Sequence, residues 1–156
     1  MASTERSILE RIKVDCEAID GTGSYNYDFS ASDSVQLGTE PVGAVPRAPG
    51  IYIFPLPVQS SRITGKTPLN SYTRVFNVQI DVWVPRTSEA AANAILAALD
   101  AQSDVMRALE NDPTLNGSCH DLEISSSAYD GEAVQVPGYG VATLRVTVEY
   151  NEVRGQ

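Results

Sequence analysis

The residues with the greatest chemical capacity are few and scattered. His120 is the single histidine, and it is flanked by Asp121 and Glu123. On a strand both carboxylates alternate to the face opposite the imidazole, so the three groups do not converge on a metal ion. Zinc-type ligation needs clustered histidines or paired cysteines, and Cys16 and Cys119 are far apart. A Cys16–His120 nucleophile pair would have to meet in space. Cys16 falls on an apolar helical stripe, however, where a cysteine acts as a small core side chain. No Gly-x-Ser-x-Gly elbow presents a serine nucleophile.

Gly65-Lys66-Thr67 matches the end of a phosphate-binding loop, but Ser60 stands where its first glycine belongs and no helical pattern follows Pro68. Gly21-Thr22-Gly23 follows a helical pattern, the wrong context for a dinucleotide fingerprint. The expectation is a chain that is not an enzyme and carries no cofactor and no metal.

A different chemistry is suggested by charge. The 156 residues carry a formal net charge of −9, which disfavours a sequence-independent grip on phosphates. Against that acidic background Arg62, Lys66 and Arg74 gather in one region, together with the apolar Ile63, Leu69 and Tyr72. A basic segment on an acidic body suits self-association or docking to an acidic partner. An ordinary solvated loop is the other reading of those charges, and on composition alone it is favoured; these six residues form the candidate assembly interface.

The elements that must carry them can be read from periodicity. Ile8, Leu9, Ile12, Cys16 and Ile19 recur at helical spacing, with Ser3 or Thr4 placed to cap the helix. Tyr25, Tyr27 and Phe29 alternate as in a short strand, and Gly50 to Phe54 reads as another. Residues 55–71, with Pro55, Pro57, Gly65 and Pro68, read as a long loop.

The clearest period of two follows, with Phe76, Val78, Ile80, Val82 and Val84 on one face and Val75, Asn77, Gln79, Asp81 and Trp83 on the other. After Pro85, with Thr87 or Ser88 as cap, a second helix runs to about Asn111. Its stripe of Ala92, Ile95, Leu96, Leu99, Val105, Met106 and Leu109 is expected to face the sheet. Asp112-Pro113 breaks it, and Asn116-Gly117 turns into a strand bearing His120, Leu122 and Ile124. A last strand, Val141 to Tyr150, should pair with that one antiparallel, and residues 151–156 read as a polar tail.

This order predicts one α+β domain over residues 1–156, a mostly antiparallel β-sheet with two main helices packed on one face. The aromatic and valine content of the other face suggests either partial cover by a partner subunit or, equally, scattered surface aromatics. With no apolar run of membrane-spanning length and no signal-peptide stretch at Met1 to Arg6, synthesis in the cytosol without a membrane partner is expected, and both cysteines should be buried or free thiols.

The element order and several phrases carry a resemblance: Ile8-Leu9-Glu10-Arg11-Ile12, Gly50-Ile51-Tyr52-Ile53, Phe76 through Val84, Asp104 to Leu109, Asp112-Pro113-Thr114-Leu115-Asn116-Gly117 and Val146 to Tyr150. Over nearly its whole length the chain resembles the tail terminator and tail completion proteins of tailed bacteriophages. That resemblance implies a structural virion protein, made in the bacterial host cytoplasm, which forms a hexameric ring on the tail tube. Such a ring ends tube polymerisation and joins the tail to the head connector. The implied partners are further copies of the chain, the tail tube protein, the head–tail connector protein and, in a contractile tail, the sheath. No sequence-specific nucleic acid is implied. The alternatives are a head completion or neck protein docking at the portal side, and a small ligand-binding module.

Overall fold

The computed structural model describes residues 3–39, 48–57, 60–63, 71–85, 91–130 and 138–153. Helix α1 spans Thr4–Glu17, and Ser3 caps it by accepting the Arg6 N–H at 3.2 Å. The strands are β1 (Val35–Leu37), β2 (Gly50–Pro55), β3 (Ser60–Ile63) and β4 (Ser71–Pro85), followed by helix α2 (Ala91–Glu110), β5 (Asp121–Asp130) and β6 (Tyr139–Val153). They form one sheet in the order β1-β2-β4-β6-β5, with β3 pairing β4 beyond the end of β2. Among the described residues only the β1–β2 pair is parallel. The fold is α+β, with two helices on a mostly antiparallel sheet.

The core follows from the alternation in β4. Phe76, Val78, Ile80, Val82 and Val84 are buried with Ala142, Leu144, Val146 and Val148 of β6 and with Ile8, Ile12 and Cys16 of α1. Each large aliphatic side chain so buried contributes roughly 1.5–3 kcal/mol relative to exposure. The opposite face holds a smaller cluster of Tyr52, Trp83 and Val141, with Tyr139 edge-on to Trp83 at 5.5 Å. These side chains are buried within the chain itself, so the aromatic content of that face needs no partner subunit to cover it. Its polar members satisfy one another, as Asp81 accepts from Gln79 at 3.0 Å and from Thr143 at 3.1 Å.

Three expectations are corrected. The stretch Tyr25 to Phe29 is not a strand. Its backbone is engaged by Asp104 of α2, which accepts the Asn26 and Tyr27 N–H groups at 2.8 Å each, and only the single bridge Asp20–Asp28 is strand-like. The loop expected over 55–71 contains β3, which has neither glycine nor proline and lies opposite Tyr72 to Val75. Its short polar sequence lacks the alternation that marks a strand. Likewise Asn151 to Val153 do not belong to a tail but extend β6 opposite Ser71 to Thr73.

The packing of α2 also differs. Ala94, Ala97, Ala98, Ala101, Val105, Ala108 and Leu109 are buried, whereas Ile95, Leu96 and Leu99 are 39%, 57% and 46% exposed. The alanine row lets the helix settle on the sheet so closely that a Cβ placed on Gly140 of β6 would lie 2.3 Å from the Ala94 carbonyl oxygen. The expected cap at Thr87 or Ser88 lies outside the described residues.

Candidate assembly interface

Of the six residues singled out by charge, the structure brings four onto paired strands. Arg62 and Ile63 lie on β3 opposite Thr73 and Tyr72, and Arg74 follows on β4 opposite Tyr150. Lys66 and Leu69 lie outside the described residues. Thr73 donates to Asn151 at 3.0 Å, tying β4 to the end of β6. The Arg74 guanidinium contacts the Glu152 carboxylate at 2.6 Å, so its charge is already met within the chain. Both partners are exposed enough for the pair to contribute little to stability.

One rung crosses the whole sheet at Ser60, Val75, Glu149 and Asp121. Beyond it β5 has ended, while β3, β4 and β6 continue together. The described part of the basic segment is thus a three-stranded extension of the sheet.

A second surface, not marked by the helical periodicity of the large side chains, lies on α2. On α2, Gln102 hydrogen-bonds to Ser126 of β5, and Met106 approaches the same hydroxyl at 4.0 Å. Asp104 points to the other side, where it holds Asn26 and Tyr27. At 100° per residue, Ile95 and Leu99 share the side of Gln102 and Met106. They therefore lie on the flank of α2 above β5, and Leu96 extends the exposed row. Beside them, an open depression of about 320 Å³ is lined by Leu99, Gln102, Ser103, Met106, Arg107 and Glu110. The alanine row at helical spacing was the signal for this orientation: large side chains dominate a hydrophobic stripe, but small ones permit the closest approach.

β5 is also the terminal strand in the sheet order, and Asp121, Glu123, Ser125 and Ser126 are exposed along it. At the opposite margin β1 is terminal, and Leu37 is 45% exposed. A groove of about 400 Å³ beside it is lined by residues that include Lys13 and Glu17 of α1 and Val35 and Leu37 of β1. An open strand edge presents unpaired backbone groups to any second chain that can align with it.

The groups considered for catalysis are not brought together. Cys16 is fully buried, and burial pushes its thiol well above the ordinary range, away from the thiolate a nucleophile needs. Burial, with Asp112 nearby, also raises Cys119. Both are free thiols. His120 is exposed and sits 3.1 Å from the Glu149 carboxylate across the β5–β6 ladder. Among the described residues no three His, Cys, Asp or Glu side chains are grouped to hold a metal ion, and no helix is long and apolar enough to cross a membrane.

No family model matches the chain, and no curated protein matches it.

Proposed function

We propose that this protein is a structural component of a bacteriophage virion, made in the host cytoplasm and placed at the tail–head junction. There a ring of copies caps the tail tube, ends its polymerisation and joins it to the head connector. The observation that carries this reading is the α2 flank: Ile95, Leu96 and Leu99 are exposed together beside β5, the terminal strand among the described residues. A clustered apolar surface of this kind is a recurrent mark of a protein–protein contact. The three-stranded extension bearing Arg62 supplies a second surface, suited to the tube or to a neighbouring copy. A closed ring needs two different patches on each subunit, one meeting the other on the next.

Light scattering on the chain with tail tube protein, and separately with portal assemblies, tests the assignment. The expected result is a complex of ring mass on tube protein. A chain indifferent to tube protein but bound to portal assemblies would place it among neck proteins instead.

A further inference from the structure

The two margins of the sheet differ in a matched way. The first margin carries an apolar row, Ile95 and Leu99, on the α2 flank above β5, and an acidic pair, Asp121 and Glu123, at the start of β5. The second margin carries exposed Leu37 on β1, beside the groove under α1, and the basic residue Arg62 on β3.

The registers put these features at corresponding heights. Leu37 shares a rung with Ile53, Ile80, Leu144 and Ser126, the residue that Gln102 and Met106 of α2 reach. Ser60, two residues before Arg62, shares a rung with Asp121. Directly opposed residues of antiparallel strands share a face. By that rule Arg62 holds a register position on the same face of the sheet as Thr73, the face that also carries Asp121 and Glu123. The strand directions agree as well. β1 and β3 run opposite to β4, and β5 runs with it, so a second copy set alongside in the same orientation brings antiparallel margins together.

From this match we infer that the β5 margin with the α2 flank, and the β1/β3 margin, are the two halves of one head-to-tail interface between copies of this chain. Apolar groups meet apolar groups, and the acidic start of β5 meets the basic β3. The two patches are different and neither is self-complementary, so the contact is heterologous and propagates from copy to copy until it closes. The acidic and basic ends fix the direction of addition, because the reverse placement sets carboxylates against carboxylates. This interface rests on the ring reading above and assigns its subunit contact.

Sedimentation velocity of the full-length chain over a concentration series provides the test, with thermal unfolding of each variant as a check on the fold. The wild type is expected to shift from monomer to larger species as concentration rises. Leu99→Asp, at an exposed position, should weaken association by about tenfold or more with little change in Tm. Arg62→Glu and Glu123→Arg should each weaken it, and the double variant should recover most of the loss. A wild type that stays monomeric throughout, or variants that associate like the wild type, would overturn the interface. If the chain caps tubes while ignoring these substitutions, only the interface fails. If it associates through these residues yet leaves tubes uncapped, only the tail assignment fails.

Discussion

Asp15 sits on the core side of α1 with Arg11 at 3.2 Å, and the carboxylate of Asp112 is close enough to act on it. Burial, reinforced by the charge of Asp112 and only partly opposed by Arg11, pushes Asp15 up to about 7. Asp112 is held below the ordinary carboxylate value: burial acts to raise it, but the Asn116 N–H at 2.9 Å and Arg11 at 2.7 Å outweigh that effect. The two groups therefore act in different pH windows. Between about 4 and about 7 the folded chain keeps a proton on Asp15 that the unfolded chain releases, so this group favours folding at low pH and loses that effect as pH rises through about 7. Asp112 has the opposite sign, and its contribution disappears as pH falls below its unfolded value.

Asp15→Asn should raise stability at pH 8 relative to the wild type by about 1–3 kcal/mol and flatten the slope between pH 5 and 7, as read by urea denaturation across pH. Asp104 is a separate case. It is fully buried and accepts the Asn26 N–H, the Asn26 side-chain amide and the Tyr27 N–H within 3.0 Å. Asp104→Ala should cost about 2–4 kcal/mol in the same assay, because those donors lose their acceptor beside the core.

At the scale of elements, the close seating of α2 on β6 depends on Gly140 and the alanine row. Gly140→Val should destabilise the chain by about 1–3 kcal/mol or more in thermal unfolding, since the new side chain meets helix backbone that cannot rotate away. What could be read from the sequence follows the same physics. β4 was legible because ten alternating residues fix both faces at once, and its register set those of β2 and β6. The orientation of α2 was not, because a stripe drawn through its largest side chains points to Ile95, Leu96 and Leu99, whereas the contact uses its smallest ones. Tyr25, Tyr27 and Phe29 alternate as a strand would, yet the carboxylate of Asp104, far away in sequence, takes the backbone N–H groups a ladder would need. β3 carries no local pattern and exists through its pairing with β4. Of the candidate surfaces, the basic residues Arg62 and Arg74 were legible as a charge cluster, but the exposed apolar row on α2 was hidden by the same misread stripe.

For the molecule as a whole, one sheet supplies a packed interior and, among the described residues, two unlike terminal strands, and the helices cover the interior while leaving the α2 flank exposed. The acidic balance of −9 disfavours a hold on nucleic acid by charge alone, as the proposed ring around passing DNA would require. The most direct measurement is electron microscopy of tail tube protein polymerising with and without this chain, followed by a second addition of tube subunits. The account predicts ring density at one end of tubes that no longer elongate at that end. Tubes that grow at the same rate, with bare ends, would contradict it.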